Sequence, residues 1–425
     1  MSHPARYWHR DGARIVCTAC PRACTLSEGQ HGFCYVRKHE GGALVSLAYG
    51  RPNAVAVDPI EKKPLWHFLP GTTILSMGTA GCNLGCRFCQ NWDLSKAQSH
   101  HKRALELAPE DVAPLARREG AASVAFTYND PTIYPEYVID AARACRAAGV
   151  ATVGVTAGYI SDAARADMYP ELDALNIDLK GFTDAFYHKL TFSRLAPVLE
   201  TIEWSVKRGI WVELTTLVIP GHNDDPDELR AEFRWILDHV GPDVPLHLTA
   251  FHPDYKLQGV PATPPETLIR ARDEARALGL RHVYTGNIWD RTGSVTACHA
   301  CGASLIERSD TIKTAYLQAE ATNSTTVRKT IYANLERFSA AVTSESWQDE
   351  SNERVSGSIT VRVPSSHFLE MLEWYRASFE ITNMSLYARE QNPGDSRFGD
   401  VRDGVAYSTI YLRFEPKIGF VQSFM

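Results

Sequence analysis

The sequence predicts an α/β fold: a full or partial (β/α) barrel with a cysteine-rich segment before it and a small α+β appendage after it. From about residue 72, short β-rich runs alternate with helical stretches, which implies parallel strands with right-handed crossovers. About seven strands are expected, and polar residues are bunched just after each of them. In a (β/α) barrel the chemistry takes place at the carboxyl ends of the strands. A doubly wound open sheet is the alternative, although no Gly-x-Gly-x-x-Gly follows the first strand.

The individual elements of the barrel are short runs of distinct composition. Strands are expected at Thr73–Met77, Ser123–Thr127, Thr152–Thr156, Ala174–Leu179, Trp211–Val218, Leu246–Phe251 and His282–Thr285. Helices are expected at Glu110–Glu119, Tyr134–Ala148 and Glu266–Leu278. Gly149 directly follows the second of these helices, at the position where a helix commonly ends.

The chain length of 425 residues suggests two domains, or one barrel-sized domain plus an appendage. We place the boundaries at 1–71 for the cysteine-rich segment, 72–308 for the barrel and 309–425 for the appendage. The appendage is expected to have helical character over Thr311–Ala341, a polar linker at Ser344–Glu353, strands at Gly357–Pro364 and Ala406–Phe414, and a helix at His367–Arg376. We assign it no catalytic role.

The composition is that of an ordinary globular protein, with 44% hydrophobic and 22% charged residues. It argues against global disorder, a collagen-like fibre or a coiled-coil rod. No apolar run approaches the roughly 20 residues that a membrane span needs. The first residues lack the apolar core of a secretory signal, so a cytoplasmic location is expected. The net charge of −6, without a long Lys/Arg block, does not indicate a nucleic-acid partner.

Ten cysteines are unusual for such a chain, and nine of them are clustered. The clusters are Cys17, Cys20, Cys24 and Cys34; Cys82, Cys86 and Cys89; and Cys298 and Cys301. Without an export signal, clustered cysteines more often indicate metal or redox chemistry than disulfides. Cys145 stands alone in a helical pattern and is expected to pack as a small hydrophobic side chain.

The three-cysteine cluster directly follows the first expected barrel strand. Three thiolates with x3 and x2 spacing on one tight loop can reach three irons of a [4Fe–4S] cube and leave the fourth iron without a protein ligand. An open iron can chelate a substrate or cofactor, whereas a structural zinc site is closed by four ligands. A zinc site that takes a remote fourth ligand is the alternative.

The spacing Cys-x3-Cys-x-Phe-Cys, with Phe88 before the third cysteine, resembles the signature of radical S-adenosylmethionine (radical SAM) enzymes. The longer segment Gly81–Trp92 resembles the radical SAM protein of the AmmeMemoRadiSam system, a family similar to the pyruvate formate-lyase activating enzymes. The resemblance runs from about Cys17 to Arg308 and implies a barrel of the radical SAM type.

The resemblance also implies a cofactor set and partners. The loop cysteines would hold a [4Fe–4S] cluster whose open iron binds the amine and carboxylate of S-adenosylmethionine (SAM). An electron from a reductant such as flavodoxin or ferredoxin would cleave SAM to methionine and a 5′-deoxyadenosyl radical, which abstracts hydrogen from a substrate. Memo-like and other proteins of the same system are the implied partners. The charge and the hydropathy of the chain lead us to expect no nucleic acid and no membrane as partners.

Polar residues at the strand ends supply candidate contacts to SAM. Thr127–Thr132 ends the second strand and resembles the family's Thr-x-Asn-Glu-Pro-Thr block for the methionyl amine, with Asp130 one methylene shorter than the family's Glu. Asp178-Leu-Lys180 ends the fourth strand and resembles an Asp-x-Lys pair that faces the ribose and carboxylate. The candidate contacts are Phe88, Tyr128, Asn129, Asp130, Asp178, Lys180, Thr215, His252 and Asn287. For each of them, an ordinary role in a loop is the alternative.

The remaining motifs are less specific. Cys17, Cys20, Cys24 and Cys34 suit either a structural Zn²⁺ or an auxiliary iron–sulfur cluster. The pair Cys298 and Cys301 resembles half a zinc ribbon and needs further ligands, from His299 or from the N-terminal cysteines. The segment Lys62–His67, with Trp66 and His67, either covers the cluster, contacts substrate or only packs.

Three functional hypotheses follow. The first is a radical enzyme that cleaves SAM reductively. The second is a non-enzymatic, zinc-stabilised binding protein. The third is an activase that places a glycyl radical on a protein partner. The sequence does not identify the substrate, and a peptide glycine and a small aromatic molecule both stay open.

Overall fold

The computed structural model describes residues 2–98, 104–288, 290, 292–307, 311–321, 324–335, 341–350, 354–364, 371–372, 374–375, 378–379, 381–390, 401–402 and 405–416. The chain divides into two compact units, Met1–Ile306 and Glu307–Met425. Among the described residues, no helix combines the length and apolar character that a membrane span requires.

The first unit begins with two small antiparallel sheets of three strands each. Their strands are β1 (His3–Pro4), β2 (Trp8–Asp11), β3 (Arg14–Cys17), β4 (Cys24–Leu26), β5 (Arg37–Glu40) and β6 (Ala43–Ser46), in the orders β1-β6-β5 and β2-β3-β4. Ile15, Leu26 and Leu44 are buried together between them. The β3–β4 register places Cys17 opposite Cys24.

A sheet of eight strands forms the centre of this unit. The strands are β7 (Ala54–Pro59), β8 (Thr73–Gly78), β9 (Ser123–Phe126), β10 (Ala151–Thr156), β11 (Ala174–Asp178), β12 (Trp211–Val218), β13 (Leu246–Ala250) and β14 (Val283–Gly286). They neighbour one another in chain order. The pairs from β8 to β14 are parallel, so the seven expected strands are present and form a partial barrel. The antiparallel edge strand β7 was not predicted.

Helices alternate along the chain with the strands of this sheet. They are α1 (Trp92–Ser95), α2 (Val112–Arg118), α3 (Pro135–Ala147), α4 (Asp162–Met168), α5 (Asp184–Phe186), α6 (Ala196–Lys207), α7 (Pro226–His239) and α8 (Pro265–Leu278). Polar caps fix several starts: the Asp225 carboxylate accepts the N–H groups of Asp227 and Glu228 at α7. The three expected helices are present, and the first opens with a 3-10 turn at Pro109–Asp111.

The segment before β8 closes the amino end of the barrel. Glu213, the third residue of β12, accepts N–H groups from Trp66, His67 and Phe68 at 2.8–3.1 Å. It also pairs with His247 at 2.7 Å and accepts the indole N–H of Trp211 at 3.2 Å. Since the cysteine loop follows the carboxyl end of β8, Trp66 and His67 lie at the opposite end and have a packing role. Covering the cluster, the alternative for this segment, does not fit that position.

The first unit ends with a two-stranded sheet of β15 (Val295–Ala297) and β16 (Ser304–Glu307). Cys298 and Cys301 lie on the turn between these strands. The turn is closed by the N–H of Gly302, which donates to the Cys298 carbonyl at 2.8 Å.

The second unit consists mainly of long strands. They are β17 (Thr311–Ala321), β18 (Ala341–Glu350), β19 (Arg354–Pro364), β20 (Ile381–Glu390), β21 (Val401–Arg402) and β22 (Val405–Pro416), with α9 (Ser324–Leu335) after β17. The main sheet has the order β18-β19-β22-β17-β20.

Two expectations for this unit were wrong. Thr311–Ala321 is a strand rather than part of a helix, and Ala341–Glu350 is a strand where a polar linker was expected. Both segments are rich in Thr, Ser and other polar residues, so their strand state depends on pairing with β20, β22 and β19 rather than on local propensity. The expected helix His367–Arg376 lies largely outside the described residues.

Candidate functional site

The cysteine loop leaves the barrel at the carboxyl end of β8 and returns at α1. It begins with a turn at Gly81, whose φ of +89° favours glycine. A Cβ on Gly81 would lie 2.0 Å from the Cys34 carbonyl oxygen, so no larger residue fits there. The N–H of Gly81 donates to the Leu94 carbonyl at 3.0 Å, which joins the two ends of the loop.

A π-helical turn at Tyr187–Thr191 holds the middle of the loop. The N–H groups of Gly85 and Arg87 donate to the carbonyls of Thr191 and Leu190 at 2.8 and 2.9 Å. A Cβ on Gly85 would lie 2.7 Å from the ring of Phe192, so glycine is required for this close approach. π-Helical turns are frequent at functional sites, and here the turn fixes the backbone on both sides of Cys86.

The three loop sulfurs are shielded from solvent to different extents. Cys86 is buried, and Cys82 and Cys89 are half-buried. Burial raises the pKa of Cys82 to about 12 and that of Cys86 to about 11, against the opposing influence of the Lys96 ammonium. Such thiols are protonated at neutral pH, and they become good ligands when a metal displaces the proton.

The donor set of this loop fits an iron–sulfur cube with one open iron. It offers three thiols on one tight loop, two tight glycine positions and a lysine near the sulfurs. No three His, Cys, Asp or Glu side chains in the described part of the chain stand ready-made as ligands of a single metal ion.

Asn129 fastens the loop to the end of β9. Its Nδ2 donates to the carbonyl oxygens of Thr79 and Gly81 at 2.7 and 2.9 Å and to the Thr79 hydroxyl at 2.9 Å. The turn that precedes Cys82 is therefore fixed by one amide group. The structure places Asn129 as a positioning residue for the loop.

Replacing Asn129 with leucine is expected to destabilise the protein by roughly 2–3 kcal/mol, because two buried carbonyls lose their donor. Guanidinium denaturation and proteolysis of the loop would measure the effect. Asn91→Leu is the matched control, since the exposed Asn91 donates one bond, to the Tyr128 carbonyl at 2.9 Å. Equal effects of the two substitutions would contradict the assigned role.

Tyr128 and Asp130, the neighbours of Asn129, have their polar groups bound elsewhere. The Tyr128 hydroxyl donates to Asp58 at 3.0 Å. Asp130 is 2% exposed, and its carboxylate accepts N–H groups from Thr132 and Ala157 at 2.9 and 2.8 Å. The Thr156 hydroxyl adds a further bond at 3.1 Å. These bonds tie the ends of β9 and β10 together, and direct contact with a cofactor would require breaking them.

Asp178 and Lys180 form an ion pair beside Cys86. The Lys180 ammonium lies 2.6 Å from the Asp178 carboxylate, and both side chains retain partial exposure. Burial alone would lower the pKa of Lys180, but Asp178 and Cys86 raise it, so the ammonium stays charged. The structure thus brings together the end of β11 and the cysteine loop.

The other candidate contacts occupy varied positions. Phe88 is buried and packs 5.9 Å from the ring of Phe186. Thr215 lies inside the barrel and is hydrogen bonded to Asn176 at 2.9 Å. His252 and Asn287 are exposed after β13 and β14. The loop that contains His252 reaches the cysteine loop, since the Lys256 N–H donates to the Arg87 carbonyl at 2.9 Å.

The N-terminal cysteines gather near the same loop, whereas the C-terminal pair does not. Cys17, Cys20, Cys24 and Cys34 line one cavity together with Asn83 of the loop. Cys298 and Cys301 lie after β14, on the turn between β15 and β16. His299 of the same turn interacts electrostatically with His282 and Asp243, which precede β14 and β13. The structure therefore does not bring the two cysteine groups together as ligands of one zinc ribbon.

Sequence reasoning missed residues that hold the loop from outside the motif. The Asn53 side chain accepts the Ala80 N–H at 2.8 Å, and the Lys96 ammonium donates to the Leu84 carbonyl at 2.6 Å. Lys96 could have been noticed as a cation seven positions after Cys89. Asn53 precedes the unpredicted strand β7, and no local pattern marks it.

Comparisons with known proteins match this region of the chain. The family model "Radical SAM superfamily" matches residues 77–233. An uncharacterized protein of Methanocaldococcus jannaschii is 42% identical over 302 residues, which cover 71% of this chain and 90% of that protein. The benzylsuccinate synthase activating enzyme of Thauera aromatica is 26% identical over 249 residues, which cover 54% of this chain and 75% of that enzyme. The structure of a radical SAM methyltransferase from Sphaerobacter thermophilus aligns with 17% identity and a TM-score of 0.40, over 51% of this chain and 67% of that one.

Proposed function

From the premise that this chain belongs to the radical SAM superfamily, we propose that it cleaves SAM reductively and uses the resulting radical to abstract hydrogen from a substrate. Membership implies an enzyme with a [4Fe–4S] cluster and SAM as cofactors and a reductant as electron source. The observation that carries the proposal is the cysteine loop at the carboxyl end of β8, tethered on both sides and flanked by the Asp178–Lys180 pair.

Each residue of the loop region has a proposed role. Cys82, Cys86 and Cys89 would bind three irons and leave one for the amine and carboxylate of SAM. When bound and reduced, the cluster supplies the electron that splits SAM into methionine and a 5′-deoxyadenosyl radical. The Lys180 ammonium, fixed by Asp178, would attract the carboxylate of SAM, and the Asp178 carboxylate would accept a hydrogen bond from its ribose. Asn129 would hold the turn before Cys82 in place.

Some residues that the sequence proposes as contacts to SAM would act on the site indirectly. Asp130 would act through Thr156 and Ala157, whose loop borders the site, rather than by touching the amine. Phe88 would support the loop by packing. The rest of the cofactor site, at the carboxyl ends of the strands, is proposed to be lined by Tyr128, Thr215, His252 and Asn287.

The test is anaerobic reconstitution followed by reduction with dithionite in the presence of SAM. The protein should become brown, bind about four irons at the three loop cysteines, and release 5′-deoxyadenosine, measured by mass spectrometry. Transfer of deuterium from labelled lysate components into 5′-deoxyadenosine would reveal the substrate class. A colourless protein that holds only zinc and never cleaves SAM would overturn the proposal and favour a zinc-stabilised binding protein.

A second candidate is a glycyl-radical activase. It is favoured by the 26% identity to the benzylsuccinate synthase activating enzyme and the 25% identity over 166 residues to a pyruvate formate-lyase-activating enzyme of Listeria monocytogenes. A glycyl radical signal in the electron paramagnetic resonance spectrum of a protein partner, dependent on SAM, would support it. The AmmeMemoRadiSam assignment, with a Memo-like partner and flavodoxin or ferredoxin as reductant, is likewise proposed from the sequence motif; co-purification of such proteins would test it.

A further inference from the structure

We propose that Arg22 is a positioning residue of the cysteine loop, and that it tunes the [4Fe–4S] cluster through the peptide group between Asn83 and Leu84. The inference rests on the proposed function, because it concerns the cluster that the three loop cysteines would hold. It goes beyond that function, since Arg22 lies 61 positions before Asn83, in the N-terminal cysteine-rich segment.

Two hydrogen bonds in series connect Arg22 with the sulfur of Cys82. The Arg22 Nε–H donates to the Asn83 carbonyl at 2.5 Å. The N–H of the same peptide group, which belongs to Leu84, donates to Cys82 Sγ at 3.5 Å. Because one peptide group makes both bonds, the guanidinium polarises the N–H that points at the sulfur. The positive charge therefore acts on Cys82 without contacting it.

Arg22 is held at this place by two further contacts. Its guanidinium also donates to the Phe192 carbonyl, and it lies over the Phe33 ring, 3.6 Å from the ring centre. A planar guanidinium that stacks on an aromatic ring while it donates to two carbonyls cannot be replaced equally well by a lysine ammonium. With three partners, the side chain keeps its charge beside the Asn83 carbonyl.

Both carbonyls that accept from Arg22 belong to residues that shape the loop. Asn83 is 1% exposed, and its side-chain amide donates to the Tyr159 carbonyl at 2.8 Å. Phe192 has a φ of +56°, in the left-handed region that a bulky residue rarely adopts. Its ring approaches Gly85 so closely that a Cβ there would lie 2.7 Å away. Arg22 thus links the first half of the loop to the residue that packs on its middle.

The bond to Cys82 differs from the bond to the last sulfur of the loop. Cys89 Sγ lies 3.1 Å from the Ser95 hydroxyl, which is a neutral group. Cys82 instead receives an N–H whose peptide group is bound to a cation. Hydrogen bonds to the sulfurs and nearby charge are among the factors that set the potential of an iron–sulfur cluster. A polarised N–H and a positive charge both favour the reduced, more negative cluster, so Arg22 raises its reduction potential.

The tuning is tested by redox titration of the anaerobically reconstituted chain without SAM, followed by electron paramagnetic resonance of the reduced cluster. Arg22→Gln removes the charge and keeps a hydrogen-bond donor. At the midpoint potential of the unmodified chain, the ratio of reduced to oxidised cluster should fall at least about threefold in this variant. Arg22→Lys keeps the charge and should restore most of the ratio. Iron content is measured first, so that potentials are compared only between fully loaded chains.

Hydrogen exchange of the metal-free chain tests the positioning role separately. Arg22→Gln should speed exchange at the amides of Leu84 and Gly85 at least about fivefold, while peptides of α7 and α8 change little. This measurement needs no cluster, so it decides the positioning role even where the variant loads no iron. Equal acceleration in all peptides would indicate general unfolding and contradict the role.

Arg14→Gln is the matched control. Arg14 lies in β3, is exposed and pairs with Asp11 at 3.7 Å, so this variant loses the same charge from the same segment. It should change neither the potential nor the exchange of the loop amides. An equal shift of potential in the two Gln variants, or an unchanged potential in loaded Arg22→Gln, would overturn the tuning role.

Unchanged exchange at Leu84 in Arg22→Gln would overturn the positioning role. Failure of the proposed function gives a different result. In that case the cluster loads, its potential shifts in Arg22→Gln as expected, and yet no chain releases 5′-deoxyadenosine from SAM.

Discussion

Cys86→Ala is expected to abolish the release of 5′-deoxyadenosine from SAM by the reconstituted, reduced protein. Cys86 is the buried central thiol of the loop. It interacts electrostatically with Cys82, Cys89 and the Lys180 ammonium. Without its sulfur, two thiols remain, and they cannot hold three irons of a cube. The measurement is the yield of 5′-deoxyadenosine per chain together with the iron content, and both should fall to the background of SAM incubated with dithionite alone.

Cys145→Ala is the matched control. Cys145 is fully buried in α3, so removing its sulfur also leaves a cavity, at a cost of about 1 kcal/mol. This substitution should leave iron content and SAM cleavage close to those of the unmodified chain. Full activity of Cys86→Ala, or equal loss in both variants, would contradict the assignment of the loop.

Glu213→Ala is expected to have the largest effect on stability, a loss of roughly 3–5 kcal/mol in the free energy of unfolding. Glu213 is fully buried, lies 2.7 Å from His247, and accepts three backbone N–H groups of the segment that closes the amino end of the barrel. Its removal leaves these donors and the imidazole without an acceptor. Urea denaturation followed by circular dichroism would measure the loss.

The same carboxylate makes stability depend on pH. Burial alone would raise the pKa of Glu213, but His247 and the N–H groups of Trp66 and His67 lower it to about 2. Since the folded pKa lies below the ordinary value of 4.5, the stabilisation is complete above about pH 4.5 and is lost as the pH falls towards 2. Glu213→Gln should therefore flatten the fall in stability over this range.

Glu203→Gln, at a half-buried position of α6, is the control for both measurements. Glu203 pairs with the largely exposed Lys207 at 2.6 Å and with the exposed His239 at 2.8 Å, and such surface pairs contribute roughly 0–1 kcal/mol each. A Glu213 variant whose stability matches that of Glu203→Gln would show that the amino end of the barrel does not depend on this network.

Local patterns were sufficient for much of the barrel. The run Thr73–Met77 and the six runs after it predicted strands correctly, because apolar strands buried on both faces have a dense β-branched and aliphatic composition. β7 was missed because it is an edge strand that precedes the first β/α crossover, so it is not part of the alternating β/α pattern that identified the other strands. In the second unit, β17 and β18 were misread, because polar strands take their state from the neighbours they pair with.

Individual site residues show the same division. The spacing of Cys82, Cys86 and Cys89 indicated a cluster loop, since ligand spacing is a property of consecutive residues. The sequence could not show that Asp130 bonds to Thr156 and Ala157 rather than facing outward. Consecutive side chains of an extended segment point to opposite faces. Which face the Asp130 side chain takes therefore depends on how the chain bends after β9.

By itself, the sequence determined the parallel α/β barrel, the loop with three cysteines and the grouping of the remaining cysteines, because these depend on short-range composition and spacing. Tertiary structure alone decided which groups meet. It brought Cys34 against Gly81, Arg22 onto the Asn83 carbonyl and the Asp178–Lys180 pair beside Cys86. The physical reason is that such contacts join segments tens of residues apart, and their geometry is set by packing of the whole barrel rather than by any local preference.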